Sequence, residues 1–515
     1  GGLAPAPAGD RLDRAERLLA TARPRLALAE VEAAEAIEAA SARSRLLRAL
    51  AALQLGRPAD AEAIAGGVAR ASARGPGREA GADRETEGAA AFVLARAAAR
   101  QGRLEEAAGL YRRVARLRPT VPGLAPSIQA ELPDEAAYLS AWLLYDAGRF
   151  EEGAAALERF ARDHPRARRA PEARWFRAWA LKRAGRTAEA RRALAALAAQ
   201  ETGPVRAAAL YWQARLVRDP DRARALDYAA AAEDPHGWYG LLAAARLAAS
   251  GSPRPPLALP PGVAPPSPGG VDAAMLGRAA DLLAAGLRTE GLAALDRASR
   301  GPGARGRAAA LAELAAFTGE VRIPYRMARD HLAVTLRTER WAFPEPFDAL
   351  LLPAAAALDV DPALALAVMR RESAFDAGAR SAAAAEGVLQ LRPETAERLA
   401  TVLGVPPPAD GALAEPGTSI PLGVAYLALL QARFGDAPAA LAAYNAGPAP
   451  AAAWAAAGAG TPLDEWVENL PWRETRQYLR GVVADWARYR RLRGEPPPAI
   501  DPAAPVRPPS EGIAF

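Results

Sequence analysis

The chain has 515 residues, 65 basic and 59 acidic side chains, a formal charge of +6, and a composition that is 51% hydrophobic yet only 6% aromatic. It has no cysteine and three scattered histidines (His164, His236, His331), which excludes a disulfide framework and a thiolate or histidine metal cluster; no cofactor is expected. No stretch approaches the roughly 20 uninterrupted apolar residues of a membrane span, and the absence of a basic helix or aromatic-basic block argues against nucleic acid as a partner.

Alanine, leucine, arginine and glutamate dominate, and runs of Val, Ile and Thr are scarce, so the expected fold class is all-α. The opening GGLAPAPAGD has no charged start followed by an apolar core, so no signal peptide is expected in this chain. From there a pattern recurs: "LQLGRPADAEAIA", "ARQGRLEEAAGLYRRVARLRP", "YDAGRFEEGAAALERFARDHP" and "KRAGRTAEARRALAAL". Each carries a Gly-Arg turn and then an amphipathic helix with small residues at helical spacing. The glycines Gly56, Gly102, Gly148 and Gly185 stand 46, 46 and 37 residues apart, near the ~34-residue spacing of tetratricopeptide repeats. Helix pairs of this kind bury their small-residue faces on their neighbours and build a solenoid. "RASARGPGREAGADRETEG" (70–88) reads as a loop that interrupts the series.

The expected organisation is a helical-repeat superhelical domain over 1–249, a proline-rich linker over 250–272, and a helical linker domain over 273–340. A compact helical domain over 341–493 and a proline-rich tail over 494–515 complete it. The prolines of 250–272 remove donors and fix φ, so that segment cannot be helical.

The unusual residues lie in the compact segment. "DVDPALALAVMRRESAF" opens a helix with Asp361 as N-cap and Pro362 at its first position. At 100° per residue, Leu364, Val368, Glu372 and Phe375 fall within about 80° of arc, which puts Glu372 at the edge of the apolar stripe. The last turn of a helix disfavours a negative charge, and burial does the same; both raise the pKa of Glu372. A carboxylic acid kept protonated near neutral pH suits a general acid for glycosidic cleavage. An ordinary surface glutamate reaching past the stripe is the competing reading at this point.

The residues that follow add to that reading. Glu372, Ser373, Phe375, Ser381, Ala385, Gly387, Gln390, Pro393, Thr395 and Ala396 stand in register with the pattern Glu-Ser, Phe, Ser, Ala-x-Gly-Leu-Met-Gln, Pro-x-Thr-Ala. "YNAGP" (Tyr444 to Pro448) and "LPWRETRQYL" (with Pro471, Glu474, Thr475, Arg476 and Tyr478) add two further blocks in order. Together they resemble the soluble lytic transglycosylases, whose catalytic domain is like goose-type lysozyme. Upstream, "ALYWQARLV" and "DPHGWYGLLAAARL" are similar to segments that close the helical superstructure of long-form members.

The resemblance implies cleavage of the β-1,4 bond between N-acetylmuramic acid and N-acetylglucosamine of peptidoglycan, leaving a 1,6-anhydro end. Glu372 would act as the single acid and base. Ser373, Ser381, Gln390, Tyr444, Asn445, Glu474 and Tyr478 would contact substrate or shape its site. Several of these have plainer uses: turn duty for Ser381, a helix stop for Asn445 and Gly447, a buried pair with Arg476 or a neighbouring arginine for Glu474. Asp376 is read as ending the helix. Trp454, Trp466 and Trp472 could stack on sugar rings or simply fill the core. The pattern is broken at Ala384 (usually Gly), Leu389 (Met, along the sugar groove), Arg392 (hydrophobic) and Ser419 (Asn). A periplasmic monomer follows from the resemblance, with peptidoglycan glycan strands as partner and the repeats free to meet cell-wall synthesis or division proteins. A muramidase-type hydrolase and a glycan-binding scaffold without activity remain the alternatives.

Overall fold

The structure, a computed structural model, describes residues 6–74, 80–255, 273–301 and 303–510. Most of the expected linker, from residue 256, and the end of the tail lie outside these. Among the described residues there is no β-strand, only three isolated bridges, and the fold is all-α as the composition implies. Contacts divide the chain into two units, one of residues 1–201 with 215–218, the other of 202–214 with 219–515.

The first unit is a run of ten helices: α1 (Ala8–Ala20), α2 (Pro24–Glu35), α3 (Ala42–Gln54), α4 (Pro58–Arg74), α5 (Ala80–Arg100), α6 (Leu104–Leu117), α7 (Pro126–Asp146), α8 (Phe150–Asp163), α9 (Ala170–Arg183) and α10 (Thr187–Gln200). Each packs on the next along the chain. The four Gly-Arg sites are the turns of α3–α4, α5–α6, α7–α8 and α9–α10. Their glycines have φ of 75°, 74°, 78° and 75°. In each, the amide after the glycine bonds back to a carbonyl five residues earlier, as in Arg57 to Ala52 (2.9 Å) and Arg149 to Leu144 (2.9 Å). This is the helix stop for which a left-handed glycine is needed. Of the expected loop 70–88, the described parts are helical, since α4 runs on to Arg74 and α5 begins at Ala80; residues 75–79 lie outside the described residues. Glycine weakens a helix by only about 1 kcal/mol, and packing of α4 on α5 outweighs it.

The second unit begins with α11 (Gly203–Leu216), whose last residues group with the first unit, followed by α12 (Pro220–Glu233) and α13 (Trp238–Ala249). Next come α14 (Ala273–Ala284), α15 (Arg288–Arg300), α16 (Ala308–Phe317), α17 (Arg322–Asp330) and α18 (Leu336–Ala342), around a small core of Leu295, Leu311, Ile323 and Met327. The remaining helices are α19 (Asp348–Ala357), α20 (Pro362–Glu372), α21 (Pro393–Leu403), α22 (Pro416–Phe434), α23 (Ala437–Ala446), α24 (Pro448–Ala457), α25 (Leu463–Asn469) and α26 (Arg473–Leu492).

The centre of this unit is α20. All seven residues from Ala363 to Met369 are buried, so the helix is enclosed on every side and not along one stripe. Asp361 caps it as expected, accepting from the Ala363 amide at 2.8 Å, and its other oxygen accepts from Trp486 Nε1 at 2.7 Å. At the opposite end Asp485 accepts from Arg370 and Arg371, each at 2.6 Å. Helix α26 thus grips α20 at both ends.

Polar contacts also fix α25. Tyr211 donates to the fully buried Asp464 at 2.5 Å, Tyr239 donates to Glu468, and Arg480 pairs with Glu468. Beyond α26 the proline-rich tail is extended and paired: Leu463 N bonds Ala504 O and Val506 N bonds Thr461 O, both at 2.9 Å. Buried Ile500 and Val506 hold it down.

Candidate active site

Glu372 is the last residue of α20, and Ser373 is its C-cap. The chain then turns sharply: Ala374 and Phe375 both have positive φ, 51° and 65°. Phe375 is therefore not on the helical stripe where the periodicity puts it. It is nonetheless buried, edge-on to Tyr325 with centroids 5.9 Å apart. Asp376 does not end the helix either. It accepts from the Gly378 amide (3.1 Å) and pairs with Arg322 (2.5 Å).

The Glu372 carboxyl is half-buried. Burial raises its pKa from the ordinary value of 4.5 to about 7; the Tyr478 hydroxyl opposes this and the neighbouring Glu474 charge adds to it. The Tyr478 oxygen is enclosed and close enough to favour the carboxylate, but makes no hydrogen bond of ordinary geometry. Tyr444 is the second tyrosine beside the carboxyl. Burial and then the Glu372 charge push its phenol well above the usual range. It donates to the carbonyl of Leu389 at 2.7 Å, and not to the carboxyl.

The loop after Glu372 is held by its own polar side chains. Ser373 Oγ donates to Val388 O at 2.8 Å. Gln390, at φ 48°, donates through Nε2 to Ala379 O (3.0 Å) and Gly387 O (2.9 Å). Ser381 is exposed, and its Oγ accepts from the amides of Ala383 and Ala385. Hydroxyl and amide groups named as substrate contacts thus spend these bonds on loop shape. Ser373 Oγ and Gln390 Oε1 keep acceptor capacity.

The Leu389 side chain is 1% exposed and lies against Gly423, where an added Cβ would come within 2.3 Å of it. It does not face a groove as the resemblance implied, because the loop turns it inward; its carbonyl is what the site uses. Ser419 is buried and donates to Glu415 O at 3.2 Å.

A cavity of about 540 Å³ opens beside Tyr444, with Gln390, Arg392, Arg398, Tyr426 and Asn445 among its walls. The Tyr426 and Tyr444 rings pack at 5.2 Å. Glu372 does not itself line this cavity; it meets it through Tyr444. Asn445 accepts from Thr475 Oγ1 at 2.7 Å, tying α23 to the first turn of α26. Glu474, on that same turn, is exposed and so is not the buried partner of Arg476, which donates to Leu470 O. Glu372, Tyr444 and Tyr478 are therefore brought together, with Glu474 near enough to add its charge. Ser373 and Gln390 shape the loop, and Ser381 stands apart at the surface.

The residues that sequence reasoning missed are Tyr426 and Asp485. Asp485 lies seven residues after Tyr478, two turns along the same face of α26. That spacing was legible, whereas its partners Arg370 and Arg371 were not. Among the described residues no group of three His, Asp or Glu is arranged to hold a metal ion.

A half-buried acid at the end of a buried helix is thus flanked by two tyrosines in an all-α unit. Residues 350–465 match the family described as the transglycosylase SLT domain. Over that segment the chain is similar to the soluble lytic murein transglycosylases. The Salmonella typhimurium soluble lytic murein transglycosylase is 34% identical over 157 residues, covering 30% of this chain and 24% of that protein. Its Escherichia coli K12 counterpart is 33% identical over 159 residues with the same coverage. The aligned part thus spans about a quarter of those curated relatives. The fold is similar over much more of the chain. A lytic transglycosylase structure from Pseudomonas aeruginosa superposes with a TM-score of 0.56 at 22% identity, covering 95% of this chain and 88% of that one. The 70 kDa soluble lytic transglycosylase from Escherichia coli gives 0.51 at 20%, covering 96% and 90%.

Proposed function

We propose that the protein is a lytic transglycosylase that cuts the β-1,4 bond between N-acetylmuramic acid and N-acetylglucosamine in peptidoglycan. The observation that carries this reading is Glu372, a carboxyl whose pKa is raised to about 7 beside Tyr444 and Tyr478. Protonated, it gives its proton to the leaving glycosidic oxygen. The C6 hydroxyl of the muramoyl residue then attacks the anomeric carbon, and the Glu372 carboxylate takes the hydroxyl proton. Atoms balance without water: one ring closes as one glycosidic bond breaks, leaving a 1,6-anhydro end.

Ordinary glycosidases need a second carboxylate as nucleophile or base. Here the nucleophile belongs to the substrate and is held near its target, so one carboxyl suffices. The other nearby acids support this division of labour: Asp376 is committed to Arg322, and Glu474 is exposed. Gln390, Tyr444 and Asn445 would line the sugar site, with Ser373 and Ser381 holding the loop. The domain division expected from the sequence, a periplasmic location and glycan strands as partner belong to the same proposal.

Mass spectrometry of peptidoglycan digested by the protein and by Glu372→Gln tests it. Fragments lighter by one water than hydrolytic products, lost with the variant, are expected. Products of full hydrolytic mass would make the protein a muramidase, and absence of cleavage would make it a glycan-binding scaffold.

A further inference from the structure

Of the ten tryptophans, nine are buried or half-buried and Trp472 alone is exposed, at 50%. A lone exposed apolar residue is ordinary in itself; what sets Trp472 apart is how its ring is held. The ring is not loose: it meets the half-buried Trp454 at 5.0 Å between centroids, nearly perpendicular at 79°. Trp466 stiffens the support by donating from Nε1 to Trp454 O at 3.1 Å. A fixed, half-exposed indole presents an apolar surface suited to the C–H face of a sugar ring.

Its place in the fold joins it to the site. Trp472 is the N-cap of α26, whose next turns carry Glu474, Thr475 bonded to Asn445, and Tyr478 beside Glu372. Its brace, Trp454, is on α24, which begins at Pro448 in the cavity wall. Six residues separate Trp472 from Tyr478 and Trp454 from Pro448, so each stands ~9 Å along a helix from the site at 1.5 Å per residue. That is the reach of a short run of sugar rings.

We infer that Trp472 is an outer glycan subsite, a stacking platform for a sugar ring beyond the cavity that favours long strands over short ones. The inference rests on the proposed action on peptidoglycan glycan. Trp472 touches substrate remote from the reacting atoms, so it contributes to binding and leaves the chemical step alone.

The test compares wild type, Trp472→Ala and Trp472→Phe on purified long peptidoglycan strands and on a short muropeptide holding a single cleavable bond. Loss of the ring raises KM for long strands about 5- to 10-fold with kcat unchanged, leaves the short substrate unaffected, and Phe restores most of the loss. Equal losses on both substrates, or a fall in kcat, would show a merely structural ring and overturn the inference. So would no change at all while wild type cleaves normally, an outcome that leaves the proposed activity standing. Failure of wild type to cleave either substrate would defeat the activity and this subsite together.

Discussion

The Tyr444 hydroxyl donates its proton to the Leu389 carbonyl at 2.7 Å, so a tyrosine of the cavity wall anchors the loop that follows the acid. With its hydrogen committed there, the phenol oxygen can only accept from other groups. It therefore suits the protonated form of Glu372, not the carboxylate. Tyr444→Phe keeps the ring packed on Tyr426 and leaves the Leu389 carbonyl without its partner. Urea unfolding is expected to show a loss of about 1 kcal/mol. Activity is expected to fall at least 10-fold, as kcat and not KM, if the anchored loop positions the acid. An unchanged kcat would mean that the bond serves stability alone.

Glu372 should leave its mark on both rate and stability. In the proposed role of proton donor it must be protonated, so kcat is expected to fall as pH rises through about 7. The stability effect has the same sign. The folded-state pKa is raised above 4.5, so protonation stabilises the folded protein. That contribution is complete below pH 4.5 and is lost as pH rises through 7. Glu372→Gln, which cannot ionise, should therefore be more stable than wild type at alkaline pH by up to roughly 3 kcal/mol. The gap should close toward acid pH, while activity falls about 10²- to 10⁴-fold. Denaturant melts at both ends of the pH range read the difference; equal stability throughout would mean that the carboxyl is solvated in the folded state.

Asp485 holds the two arginines that precede Glu372. Asp485 is buried and Arg370 half-buried, and Arg370 also lies over the Phe343 ring at 4.2 Å. Replacing one member of a buried pair strands the other charge. Asp485→Asn is expected to cost about 3 kcal/mol and, because α20 loses its grip at the end that carries Glu372, to lower kcat as well. Retained stability in a thermal melt would show that water replaces the carboxylate without penalty.

How much of this was legible in the sequence follows from what kind of information each feature needs. The Gly-Arg turns and the Asp361-Pro362 helix start are local, and they stand where the residues put them. Burial, the first cause of the raised pKa of Glu372, was legible from its place beside the apolar stripe; the added Glu474 charge and the opposing Tyr478 hydroxyl were not. The extent of burial was not: α20 reads as amphipathic because Arg370 and Arg371 look solvated, and only Asp485, more than a hundred residues on, explains them. The positive φ at Ala374 and Phe375 broke the helical arc two residues after the acid, and neither alanine nor phenylalanine signals that. The roles of Ser373 and Gln390 turned inward for a similar reason, because loop carbonyls that they satisfy are invisible until the chain is folded.

Two neighbouring positions of that loop make opposite predictions. Ala384 has φ of 61° and is exposed, at a place where the resembling family usually carries glycine. A side chain in the left-handed region costs roughly 1 kcal/mol, partly offset by the unfolded-state entropy of glycine. Ala384→Gly should therefore stabilise by about 0.5 kcal/mol. Gly387, three residues on, has φ of 78°, and a Cβ there would sit 2.1 Å from the Leu413 carbonyl oxygen. Backbone cannot yield as a flexible side chain can, so Gly387→Ala should cost about 2 kcal/mol or more and displace the Leu389 carbonyl from Tyr444. Paired chemical denaturation of the two variants decides the matter: opposite signs support this loop geometry, and two destabilising changes would mean that Ala384 makes a contact worth more than its strain.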